Sequence, residues 1–67
     1  MEAKRIINRE IEKFKIMNHK KDKWADRDVH HILGMLAMAV ELNKLSLDEM
    51  DQYIDIILKK YHELEPI

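Results

Sequence analysis

Residues 33–42 read Leu33-Gly34-Met35-Leu36-Ala37-Met38-Ala39-Val40-Glu41-Leu42, and among them only Glu41 carries a charge. A helix that is apolar around most of its circumference has to be covered on more than one side. We therefore read this stretch as the hub of a small helical bundle, with the segments before and after it packed on its flanks.

Around the hub, the second helix carries two apolar surfaces. One is the stripe Ala25, Val29, Ile32, Leu36 and Ala39, with Leu33 and Val40 beside it. The other is rotated by roughly a quarter turn and holds Trp24, His31, Met35, Met38 and Leu42, at the three-to-four spacing that keeps side chains on one helix face. Asp22 is the preferred N-cap over Asp26, because the first stripe begins just after it and an Asp oxygen accepts hydrogen bonds from the open amides of a first turn. Gly34 costs about 1 kcal/mol relative to Ala in a helix interior. It marks either a close approach of another backbone, together with Ala37, or simply an exposed edge.

N-terminal to the hub, Ala3, Ile7, Ile11 and Phe14, with Ile6 and Met17, recur every three or four residues and predict a first helix with one apolar stripe. Ile16 points away from it. Arg5, Arg9 and Lys13 form a basic ridge on the opposite side, with Glu10 and Glu12 flanking it. C-terminal to the hub, Ser46 followed by Glu49 is a capping box, and Leu45 with Met50 is its hydrophobic staple. A third helix starts at Leu47, follows the stripe Leu47, Met50, Ile54, Ile57, Tyr61 and Leu64, widened by Tyr53 and Leu58, and stops before Pro66.

Size and composition restrict the class. The chain has 67 residues and no cysteine. A domain this small buries only about 60% of the surface of its unfolded chain, so it needs very good helix packing or a partner subunit, disulfides being excluded. The polar amphipathic start does not read as a secretory signal. The longest apolar run is shorter than the roughly 20 residues that span a bilayer, so a soluble, cytoplasmic protein is expected. Charge is uneven: residues 1–27 hold nine Lys or Arg against five acids, and residues 28–67 hold three against eight. Such asymmetry fits either a nucleic-acid-binding arm or two halves that fold on each other.

Motifs for chemistry are missing. His30 and His31 are adjacent and point about 100° apart on a helix, so they do not form the i, i+4 pair that shares a metal ion. His19 and His62 lie in other segments. Asp48, Glu49, Asp51 and Asp55 lack the glycine turn and alternating oxygens of a calcium loop. The one serine is the cap Ser46, and one glycine cannot build a phosphate loop. A non-enzyme with no cofactor and no metal is expected. A helix-turn-helix is disfavoured as well, because Asp48, Glu49 and Asp51 would stand at the start of its recognition helix, against the phosphates.

The combination of very small size, many Lys and Ile, no Cys and a wholly helical pattern is similar in style to small regulators of AT-rich bacteria and their phages, including inhibitors that bind one host protein. That likeness implies a protein partner and carries no individual residue with it.

The resulting expectation is an all-α three-helix bundle in a single domain, 1–67, with helices at about 2–19, 23–43 and 47–64. Its second helix is central, buried on two sides, and the molecule assembles as a homodimer. The expected function is a small protein-binding regulatory or inhibitory module acting through helix–helix contacts, with Trp24, His31, Met35, Met38 and Leu42 as the partner-binding face. Flexible, polarizable Met side chains suit such a surface, although they also fill cores. The alternative is a nucleic-acid-binding accessory protein using Lys4, Arg5, Arg9, Lys13, Lys20 and Lys21.

Overall fold

The computed structural model describes residues 2–66. It is an all-helical domain of three helices, α1 (Glu2–Met17), α2 (Lys23–Glu41) and α3 (Leu47–Glu63). Both α1 and α3 lie along α2, and they make only marginal contact with each other. Short connections make each neighbour antiparallel to α2, so α1 and α3 run in the same direction.

The core follows from the helical periodicity. Ile7, Ile11 and Phe14 enter it from α1, and Ala25, Val29, Ile32, Leu36 and Ala39 from α2. Leu45 closes one end from the α2–α3 turn, while α3 and its exit supply Ile57 and Leu64. Met50, Tyr53, Ile54 and Tyr61 of α3 are half-buried against this cluster. Burying one large apolar side chain contributes about 1.5–3 kcal/mol, so Ile7, Phe14, Leu36 and Ile57, the most completely enclosed, dominate the stability.

Helix starts are set by side-chain oxygens. Asp22 Oδ1 accepts from the amides of Trp24 at 3.0 Å and Ala25 at 2.9 Å, which makes Asp22 the N-cap of α2. At α3 the Glu49 amide donates to Ser46 Oγ at 3.1 Å, and the Ser46 amide donates to Glu49 Oε1 at 3.0 Å. That reciprocal pair is the capping box. The other Glu49 oxygen pairs with Lys4 Nζ on α1, so one carboxylate both caps α3 and ties it to α1.

Helix ends fall earlier than the periodicity predicts, by two residues in α1 and α2 and one in α3. In α1 the buried Asn18 directs its backbone amide and its Nδ2 to the Phe14 carbonyl, and Nδ2 also donates to Asp28 of α2 at 2.9 Å. The next residues are then taken up elsewhere. His19 accepts from the Glu65 amide at 3.1 Å and Lys21 donates to the Glu65 carbonyl at 2.8 Å, forming a parallel bridge between Lys20 and Glu65. In α2 the stop is Asn43, whose φ of 57° is left-handed. With Asn43 N donating to Val40 O and Lys44 N to Ala39 O, the end is a Schellman motif in which Asn takes the place usual for Gly. Leu64 leaves α3 with ψ 149°, ahead of Pro66.

Four stripe positions are corrected. Ile6 and Leu58 are each 39% exposed, because their neighbours Ile7 and Ile57 take the core positions. Met17 is 71% exposed, since the core beneath the last turn of α1 is filled by Phe14 and Asn18. Leu47 is 63% exposed because Leu45, from the turn itself, takes the core position at that end. At the other end of the bundle, the Tyr61 hydroxyl donates to Asp26 Oδ1 at 2.5 Å, tying α3 to α2. That bond, with partial burial, holds the Tyr61 phenol above its usual pKa.

The Lys4 bond first, and then the Ser46 amide, hold the Glu49 carboxyl below its ordinary value of 4.5, while Glu49 raises Lys4 above 10.5. A depressed carboxylate pKa stabilises the fold above 4.5 and the benefit is lost as pH falls through the folded value. Conversely, the raised Lys4 contributes below 10.5 and its contribution is lost on the alkaline side. Lys4→Met should therefore lose less stability than the wild type on acidification below 4.5 in denaturant titrations. Glu49→Gln, which retains the capping box and loses the ion pair, should fall between the wild type and Glu49→Ala.

Candidate functional site

α2 is covered by α1 on one flank and α3 on the other, and a third flank is left open. Along that flank Lys23, Trp24, Arg27, His30, His31, Gly34, Ala37, Met38, Glu41 and Leu42 are all exposed. Beside it, between α2 and the first turns of α1, runs an open apolar groove of about 550 Å³. Its α1 wall is Ala3, Ile6 and Ile7. Its α2 wall includes His31, Gly34, Met35, Met38 and Leu42, with Lys44 at the mouth.

The groove exists because the α1 stripe and the second apolar surface of α2 do not use each other up. Ile7 and Ala39 point inward and are buried, whereas Met38 is 56% and Leu42 is 59% exposed. Met35 sits between these extremes, half-buried against the core. Its flexible thioether lines the groove, as does the more exposed Met38. Hence the four described methionines divide: Met35 and Met50 support the core, Met17 and Met38 face outward.

Four of the residues expected to form one face, His31, Met35, Met38 and Leu42, line this groove together. Trp24 does not. It stands nearer the α2 N-terminus and 55% exposed, with Lys23 Nζ 5.2 Å and the Arg27 guanidinium 5.8 Å from its ring centroid. Trp24 and His31 share a smaller depression with Glu10, Arg27 and Asp28. What the sequence reading missed is the contribution of Ala3 and Ile6, which were assigned to the stripe of α1. Their signal was the width of that stripe, since Ile6 and Ile7 cannot both point at the same neighbour.

Gly34 resolves in favour of the open edge. No atom lies within 4 Å of the position a Cβ would occupy, so nothing in the single chain needs the glycine.

The six cations of the alternative site are not gathered on one face. Lys4 turns toward α3 and pairs with Glu49. Arg5 pairs with Glu2 at 3.1 Å and Lys13 with Glu10 at 3.5 Å, both within α1. Arg9 lies on the same helix without an ion-pair partner among the described residues. Lys20 and Lys21 belong to the α1–α2 connection at the opposite end, where Lys21 lies 5.7 Å from the Tyr61 ring centroid.

Among the described residues no three His, Asp or Glu side chains come together in a way that could hold a metal ion, and no helix is long and apolar enough to cross a membrane. Compared with protein-family models, curated proteins and solved structures, the chain matches none.

Since the Gly34 site is open within the chain, Gly34→Ala should stabilise the isolated domain by up to about 1 kcal/mol through helix propensity. Urea denaturation at low protein concentration measures this. A loss of stability there would show that the backbone at Gly34 is crowded by something within the fold.

Proposed function

We propose that the protein is a small interaction module, regulatory or inhibitory in role and without enzymatic activity of its own, that binds a helix of a protein partner along the open flank of α2. Assembly as a homodimer through the same flank belongs to this reading. The observation that carries it is the groove between α1 and α2, lined by side chains that the bundle leaves uncovered. Contiguous exposed apolar surface with a polar rim is characteristic of interaction sites. Helix-in-groove recognition uses anchors at spacings of three, four and seven residues. The Ile6, Met38 and Leu42 side chains, together with the gap over Gly34, offer a trough of that form.

Nucleic-acid binding through Lys4, Arg5, Arg9, Lys13, Lys20 and Lys21 is the weaker reading. Lys4, Arg5 and Lys13 are already paired with carboxylates, and neutralising phosphates would require breaking those pairs.

Affinity capture from a cell lysate with three forms of the protein separates the two. A bound species retained by the wild type and by Ile56→Lys, an α3 surface control, but lost with Met38→Lys is the expected result. Capture that is indifferent to Met38→Lys would remove the groove from consideration. Retention on DNA or RNA that falls steeply between 50 and 200 mM salt, as counterion release requires, would favour the basic residues instead.

A further inference from the structure

We infer that the occupant of the open α2 flank is a second copy of this chain, its α2 packed antiparallel with the two-fold axis at Gly34. This deepens the proposed function and rests on it, naming the partner of the same flank. Three independent features of α2 lead to it.

The first is the order of charge along the exposed face. Lys23 and Arg27 stand in the N-terminal half and Glu41 at the C-terminal end, with no basic residue in the last turn. A helix dipole favours the reverse order, acids first and bases last. Neither Arg27 nor Glu41 has an ion-pair partner among the described residues. Within the single chain Arg27 therefore has only its contact with the Trp24 ring, and Glu41 has no charged partner among the described residues.

The second is spacing. Arg27 precedes Gly34 by seven residues and Glu41 follows it by seven. Seven residues are close to two helical turns, about 10.5 Å along the axis, so all three lie on one line of the helix. In an antiparallel pair centred on Gly34, each Arg27 meets the Glu41 of the second copy. Two ion pairs then form by symmetry, and a two-fold interface requires such self-complementarity. A parallel pair would set Arg27 against Arg27 and Glu41 against Glu41.

The third is shape. At the crossing point the two chains present Gly34 to Gly34, and the space over each is empty. Small residues at a helix crossing let the backbones approach closely. The glycine that costs helix stability in the monomer thus acquires a role. At the same register Trp24 of the second copy falls opposite position 44, where the groove ends between Leu42 and Lys44. An exposed Trp on one copy and an open apolar groove on the other complement each other, and Trp is a frequent anchor of interfaces. Because the groove is walled by α1, the contact extends beyond a single helix pair toward the roughly 800 Å² per partner of a standard interface.

The test uses charge reversal at the two complementary positions. Arg27→Glu places an acid near the N-terminus of α2 and Glu41→Arg a base at its C-terminus, both favoured by the dipole, so each variant should fold, as circular dichroism checks. The wild type should form dimers in the micromolar range by sedimentation equilibrium, with the emission of Trp24, the only tryptophan, shifting to the blue as dimers form. Each variant alone should self-associate at least about tenfold more weakly, since each dimer would hold two like-charge contacts. An equimolar mixture of the two variants should restore dimers, because every contact is again of opposite sign.

A wild type that stays monomeric to millimolar concentration would overturn the inference, and face-specific capture by the same monomer would leave the proposed function standing. Dimers that tolerate both reversals, or a mixture that fails to recover, would place self-association on another surface or in another orientation and overturn the inference as well.

Discussion

Leu36 and Ala25 of α2 are wholly buried, together with Ile7 and Phe14 of α1 on one side and Ile57 of α3 on the other. This joint burial is the constraint on which the molecule depends. α1 and α3 make little contact with each other, so removing α2 from between them would leave two amphipathic helices with nothing to cover. The same arrangement explains the open flank. Two neighbours leave part of the circumference of α2 uncovered, and that arc faces outward.

Packing of this kind is not directional, and polar ties set the orientation at each end of the bundle. At one end Glu49 caps α3 and reaches Lys4 on α1. At the other, the Lys20–Glu65 bridge, the Tyr61–Asp26 bond and the Asn18–Asp28 bond join the α1–α2 connection, α2 and the exit of α3. Hydrogen bonds to charged groups contribute more than neutral ones, and a half-satisfied buried group costs more than the bond gains. The placement of Asn18 illustrates this, being the one buried polar side chain among the described residues, with its Nδ2 bonded to the Phe14 carbonyl and to Asp28.

Much of this was legible residue by residue. The Ser46/Glu49 capping box and the Asp22 cap are local, involving partners two or three positions away, and local chemistry reads directly from sequence. The left-handed Asn43 was less visible, because Asn adopts that conformation less often than Gly and gives a weaker signal for a helix end. Met17 and Leu47 lay on the right helical lines and were nonetheless exposed. Periodicity says which way a side chain points, and only the neighbour's length decides whether anything is there to meet it. For the candidate site, His31, Met35, Met38 and Leu42 could be grouped from spacing on one helix. The wall supplied by Ala3 and Ile6 could not, since it belongs to a different helix more than twenty residues away.

By itself, the sequence determined three helices, the N-caps of the second and third, the buried centre of each stripe and the excess of apolar surface on the second. All of these depend on interactions within about four residues, where the geometry of the α-helix is known in advance. The tertiary structure decided that Lys4 pairs with Glu49 of another helix, how the C-terminal segment returns to the α1–α2 connection, and which flank of α2 stays open. Those outcomes depend on distances between segments far apart in the chain, and a pattern along one helix contains no information about where another helix ends.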